Sequence, residues 1–294
     1  MQVGAVFPFP LTEIGSDPAT LREYVSAAES VGYEHLSFPD HVVGVDPNRP
    51  GGWHAPYTHE SPIHEPLITL SFIAAITERI ELSTGILILP QRQTVLVAKQ
   101  TAALDVLSGG RLRLGVGLGW NAVEYGVLGK NFGNRGRRIE EQIALLRAMW
   151  AAPSITFEGR HHSVPLAGIN PLPPRRSIPI WMGGAAEPVL DRIGRLADGW
   201  ILTGGTRPEA VAGPLAVIRE SARAAGRDPA DIGLEAWIRV RPGDQSEKLN
   251  LARAWADVCA THLSVQTTGL GYTSPAEHIA AITDFRVAWD ADGA

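Results

Sequence analysis

The chain has 294 residues, of which 45% are hydrophobic and 19% charged, and a formal net charge of −5. That suits one large domain with a substantial core and argues against general nucleic-acid binding. Cys259 is the only cysteine, which excludes an internal disulfide and a thiolate metal cage, and it is expected in the buried face of a helix. With no basic apolar leader and no long apolar run, the expected setting is the cytoplasm, without membrane or nucleic-acid partners.

In chain order, Val3 to Phe7 reads as a strand stopped by Pro8 and Pro10. A helix from Pro18 to Val31 follows, with Leu21, Val25 and Ala28 inward and Gly32 as its stop. The strand His35 to Phe38 delivers Pro39, Asp40 and His41 to its carboxyl end. Residues 42–63 form a loop rich in Gly, Pro and His, far longer than a usual strand-to-helix connection, and are expected to act as a lid. A helix is expected from Glu65 to Thr77.

Glu81 to Trp120 is the centre of the pattern. The apolar run Ile80 to Leu89 reads as a strand covered on both faces, and Val95, Ala98, Ala102 and Val106 recur at helical spacing. A second strand ends in Gly115, Gly117 and Gly119. This is a parallel strand, helix, strand unit. The glycines either relieve crowding where strand meets loop or let a ligand approach the backbone. Their spacing does not fit a dinucleotide fingerprint.

A helix from Arg137 to Trp150 carries Ile139, Ile143, Leu146 and Trp150 on one stripe. The proline-rich residues 151–177 read as an insertion over one end. The alternation then resumes with strands at Ile178 to Met182, Gly199 to Leu202, Ile232 to Val240 and His262 to Gln266. Helices fall at Glu187 to Ala197, Pro208 to Ala225, Glu247 to Ala260 and Pro275 to Trp289. The order defines a single (β/α)8 TIM barrel over 1–294, with loop insertions at the strand carboxyl ends.

In such a barrel the strand carboxyl ends carry function. Gly183, Gly184, Ala185 and Ala186 precede a helix whose free amides and positive end suit a phosphate, and Gly204 and Gly205 repeat a glycine pair at the next strand end. Asp40 beside His41 offers an imidazole that titrates near neutrality with a carboxylate at hand. His54, His59 and His64 match no metal-ligand spacing, so no metal is expected, and His161 and His162 read as surface residues. No G-x-S-x-G elbow is present. A phosphate site with an Asp-His pair and no evident nucleophile implies that a bound cofactor does the hard chemistry.

The blocks FPDHVV, LSTGILILP, AKQTAALDVLSGGRLRLGVGLGW, RGRRIEEQIALLRAMW and IPIWMGG followed by RLADGWI, in this order, span nearly the whole chain. Together they resemble the luciferase-like monooxygenase superfamily, and within it the branch of oxidoreductases dependent on coenzyme F420. The resemblance implies a deazaflavin or flavin in the barrel mouth and a non-prolyl cis peptide at Gly85-Ile86. It also implies a cofactor phosphate region at Gly117, Leu118, Gly119, Trp120 and Asn121 and at Gly183 to Ala186.

Asp40 and His41 match a pair that touches the deazaflavin ring in sugar-phosphate dehydrogenase relatives, where the histidine assists hydride transfer. Those relatives carry a glutamate at the position of Trp120, so sugar-phosphate oxidation is not expected. Trp120 instead is expected to wall an apolar substrate pocket with Trp53, His54 and Tyr57. Arg135, Arg137, Arg138, Arg175 and Arg176 are expected to flank the phosphate site and to favour the anionic tail of F420 over FMN. The leading expectation is an F420-dependent oxidoreductase acting on a small molecule, with a homodimer as one candidate assembly. The alternatives are an FMN-dependent monooxygenase using O2 and a non-catalytic flavin-binding protein.

Overall fold

A computed structural model describes residues 1–202, 205–241, 243 and 245–293. All strands of its main sheet pair in parallel, in the order β3-β2-β1-β11-β10-β9-β8-β5-β4, and a further β3–β5 pairing closes the sheet on itself. These are β1 (Gln2–Val6), β2 (His35–Phe38), β3 (Glu81–Thr84), β4 (Leu87–Ile88), β5 (Leu112–Gly117), β8 (Ile180–Gly183), β9 (Gly199–Leu202), β10 (Gly233–Arg239) and β11 (His262–Gln266). Because β3 and β4 are two parts of one barrel position, the sheet is a closed eight-position parallel barrel.

The helices α1 (Pro18–Ser30), α2 (Pro66–Ala74), α3 (Thr94–Leu107), α5 (Arg135–Ala151), α6 (Glu187–Leu196), α7 (Ala212–Ala224), α8 (Gln245–Asp257) and α9 (Pro275–Ala291) cover it. A short α4 (Ala122–Val127) lies in the loop after β5. No helix among the described residues is long and apolar enough to cross a membrane.

Each barrel strand forms where apolar residues can be buried on both faces. In β5 every residue is buried, including Arg113. On α5 the expected stripe of Ile139, Ile143, Leu146 and Trp150 is 0 to 1% exposed.

Several expectations are corrected. The run Ile80 to Leu89 is not one strand but is interrupted between Thr84 and Leu87, where the Gly85-Ile86 peptide is cis. The second helix ends at Ala74, three residues early, and its amino end is capped by the Glu65 carboxylate, which accepts from the Ile68 amide at 2.8 Å. Residues 151–177 contain an antiparallel hairpin, β6 (Ile155–Glu158) and β7 (Ser163–Ala167). His162 is no idle surface group, since its ring meets Glu141 at 2.7 Å and Thr94 Oγ1 at 2.6 Å and ties that hairpin to the barrel. Cys259 lies exposed beyond the end of α8 with a positive φ of 67°, not in a buried helix face.

Within the barrel, Arg113 is ion-paired with Glu235 at 2.5 Å and with Glu81 at 2.6 Å. Glu235 also accepts from Ser264 Oγ at 2.6 Å and from Trp237 Nε1 at 2.8 Å. His262 is pushed down to about 3 from an ordinary 6.5, by burial first and by nearby Arg113 and His35 next. Burial pushes His278 on α9 down to about 4.

Both imidazoles are therefore neutral in the folded protein. Unfolding lets each bind a proton once pH drops below 6.5, so their contribution is complete above that value and is lost towards pH 4 and 3. Stability should fall on acidification by up to ~1.4 kcal/mol per pH unit for each group. Urea unfolding at pH 7, 6 and 5 measures this, and His278→Gln should make the decline shallower; an unchanged slope would assign it elsewhere.

Candidate active site

The end of β2 and the broken third barrel strand set the floor of the mouth. Asp40 is 3% exposed and both its oxygens are engaged, one accepting from the Ile88 amide at 2.8 Å and the other from Arg92 at 2.8 Å. Arg92 in turn meets Glu65 at 2.6 Å. Burial holds the Asp40 carboxyl above its ordinary value, although Arg92 and the Ile88 amide offset part of that rise. The geometry makes Asp40 the clamp that holds the Ile86 to Ile88 segment; it also lines the cavity, and each of its oxygens, with one donor, has capacity for a second.

His41 lines the cavity, and its Nδ1 lies 3.1 Å from Glu124 Oε2 and 2.9 Å from the Tyr57 hydroxyl. The Glu124 side chain is fully buried. Its other oxygen accepts from the amides of Val42 at 2.5 Å and Val43 at 3.0 Å. Burial raises the Glu124 carboxyl, but the hydrogen bonds from His41, Val42 and Val43 outweigh it, and the group is held below its ordinary value as a carboxylate. A carboxylate can only accept, so the proton of the neutral ring belongs on Nδ1. Nε2 then carries the lone pair.

Glu124 was missed by sequence reasoning. Its spacing from Asn121 resembles a helix capping box, and Asn121 does cap α4, accepting from Val123 and Glu124 amides at 3.0 and 3.1 Å. Glu124, however, reaches across to the loop after β2. Asn121 itself is 1% exposed and donates to the Tyr57 hydroxyl at 3.0 Å, so it supports the wall and does not line the cavity.

The cavity has a volume of about 430 Å³ and is lined mainly by Phe9, His41, Gly85, Ile86, Trp120 and Arg135, together with Gly117 to Gly119 and Gly183 to Ala186. The glycines have a nearer reason than a ligand. A Cβ on Gly117 would lie 2.4 Å from Ile86 Cδ1, and one on Gly119 2.6 Å from Ile88 Cγ2. A Cβ on Gly115 would lie 2.0 Å from the Thr84 carbonyl oxygen. They make room for the broken strand beside them.

Gly184, Ala185 and Ala186, by contrast, are exposed at the start of α6, which has no side-chain cap. Arg135 stacks over the Phe132 ring at 3.7 Å, and its Nε is buried without a partner. Small exposed residues at a helix start with an orphaned guanidinium nitrogen at the same cavity fit an anionic cofactor group. Glu187 in the first turn of α6 is the one acidic side chain there.

The other arginines divide. Arg138 donates to the Pro90 carbonyl at 2.5 Å and supports that turn. Arg175 donates to the Gly110 carbonyl, and Arg176 lines a cleft with Asp198 and Arg227; both lie at the amino ends of the strands, opposite the mouth, and leave the predicted basic rim. Gly205 lines a different cleft with Arg207 and Trp237, and Thr203 and Gly204 lie outside the described residues.

In loop 42–63, Tyr57 is 1% exposed and Trp53 Nε1 donates to the Tyr57 carbonyl at 2.8 Å. Trp53 stacks on Trp120 with centroids 5.5 Å apart. His54 is exposed and, like Trp53 and Tyr57, does not line the cavity; of the predicted pocket residues only Trp120 does, with Trp53 and Tyr57 packed behind it. Among the described residues no group of His, Cys, Asp and Glu gathers as a metal site.

This parallel barrel has a mouth whose floor is broken at strand three and a histidine at the end of strand two. The model of the luciferase-like monooxygenase family matches residues 1–283, and the chain belongs to that family. It is 30% identical over 245 residues to an F420-dependent glucose-6-phosphate dehydrogenase of Amycolatopsis mediterranei (strain U-32), covering 81% of this chain and 70% of the relative. The fold is shared with an F420-dependent secondary alcohol dehydrogenase solved with an F420-acetone adduct, at a TM-score of 0.78, 17% identity and 98% coverage of both chains. It is shared also with monooxygenase RslO1 from Streptomyces bottropensis, at a TM-score of 0.74, 19% identity and 100% coverage of both chains.

Proposed function

We propose that the chain is a coenzyme F420-dependent oxidoreductase acting on a small organic alcohol or carbonyl compound. The observation that carries this reading is the buried Glu124 carboxylate on His41 Nδ1, which leaves Nε2 as a proton acceptor or donor in the cavity. The relationship to an F420-dependent dehydrogenase supports the cofactor. When bound, the deazaflavin supplies hydride chemistry. The residues here hold it: Gly85 and Ile86 as the floor, Gly184 to Ala186 and Arg135 for its anionic groups, and Asp40, which lines the cavity and clamps the floor. His41 handles the proton.

Titration with F420 and FMN side by side tests the cofactor. F420 should bind more tightly, more weakly as salt rises, and several-fold more weakly in Arg135→Ala. Equal or tighter binding of FMN without salt dependence would promote an FMN monooxygenase, the reading favoured by the fold shared with RslO1. Tight cofactor binding with no turnover on any alcohol or carbonyl would favour a carrier.

The assembly we propose is a homodimer through α2 and α3. Neither α2 nor its exposed face carries a charge, and Ile68, Leu96 and Leu107 are 70, 50 and 72% exposed. A solution mass of one chain would remove this proposal.

A further inference from the structure

The geometry points to an uncharged, planar aromatic alcohol or ketone as the substrate, stacked on Trp120; this rests on the functional reading above. Trp120 lines the cavity and is 50% exposed, yet its ring is fixed. Trp53 stacks on it at an interplanar angle of 21°, and His41 and Tyr57 meet it edge-on with centroids 5.7 and 5.8 Å away. Trp53 is held by its bond to the Tyr57 carbonyl, and Tyr57 by His41 and Asn121. An indole braced in this way presents its free surface in one orientation without having to be ordered by a ligand, which lowers the cost of stacking.

Phe9 adds a further ring, 5.9 Å from that of His41. The histidine is thus set against three aromatic side chains, Phe9, Tyr57 and Trp120. Arg135 is the one cation among the residues lining this cavity, and the reading above assigns it to the cofactor. Arg207 and Arg239 line a separate cleft, with Trp237 between that cleft and the floor, where its ring would meet a Cβ on Gly85 at 2.8 Å. Among the described residues, a substrate whose reacting carbon lies beside His41 therefore finds ring faces and a single proton-handling nitrogen, and no cation besides Arg135 lining the cavity for a phosphate or carboxylate. A flat apolar ring next to the carbinol or carbonyl carbon satisfies that surface.

Acetophenone and its saturated counterpart, cyclohexyl methyl ketone, test the idea by calorimetric titration of the protein with and without F420. Acetophenone should bind about 5-fold more tightly. Trp120→Leu, which keeps apolar volume but removes the ring face, should abolish the difference, and Trp53→Leu should reduce it. Glucose 6-phosphate should bind more weakly than acetophenone. Equal binding of the two ketones, a preference that survives Trp120→Leu, or tighter binding of the sugar phosphate would overturn the inference. These outcomes with F420 bound normally leave the cofactor reading standing. A ketone preference in protein that does not bind F420 would sink that reading and leave the stacking site.

Discussion

Replacing Glu124 with glutamine is expected to lower turnover by about 100-fold in the direction that needs a base, close to the effect of His41→Ala. The reason is geometric. The amide oxygen of the new side chain is needed by the Val42 and Val43 amides, so its NH2 group faces His41 Nδ1 and donates to it. The ring proton then moves to Nε2, and the cavity is offered a donor where it had an acceptor. Nitrogen-15 shifts of the imidazole, read in protein without cofactor, should report a protonated Nδ1 in the parent and a protonated Nε2 in the variant. F420 affinity should change little. An unaltered tautomer with full activity would reduce Glu124 to a clamp for the loop.

The largest effect on stability is expected at Arg113, far below the mouth. Arg113→Met removes the arginine paired with the fully buried Glu235, and breaking such a pair typically costs about 3–5 kcal/mol. In the folded protein burial raises the Glu235 carboxyl, but Arg113, His35 and Ser264 outweigh it and hold it well below the ordinary range. Without Arg113 that group should take up a proton at a higher pH. Combining Arg113→Met with Glu235→Leu should recover much of the loss by removing both charges. Chemical unfolding of the three variants decides this, and additive losses in the double variant would refute the pairing argument. Because Glu235 also holds Trp237, which backs Gly85, the single variant should weaken cofactor binding as well.

The barrel was legible in the sequence because parallel strands buried on both faces read as apolar runs at regular intervals. Its interruption at Gly85 was not visible in hydropathy, since Leu82, Leu87 and Leu89 are buried on both sides of the break. The hairpin 155–167 was hidden because most of its residues stay exposed. Among site residues, His41 and Trp120 were found from their place at strand ends. Glu124, Arg113 and Glu235 were not, because a charged residue that is buried looks in sequence like one on the surface. Arg175 and Arg176 show a different error: residues just before a strand lie at its amino end, so nearness in sequence to a carboxyl-end site means distance in space.

Two stretches of chain, 40–57 and 117–124, contain the floor clamp Asp40, the proton-handling His41, its partners Tyr57 and Glu124, and the indoles of Trp53 and Trp120. Their mutual contacts do not pass through the outer helices. A chimera that receives both stretches together should therefore inherit substrate preference and ring protonation as one trait, whereas a barrel given only one of them would hold a histidine without its carboxylate. Selection for a new substrate would tend to exchange the pair as a unit.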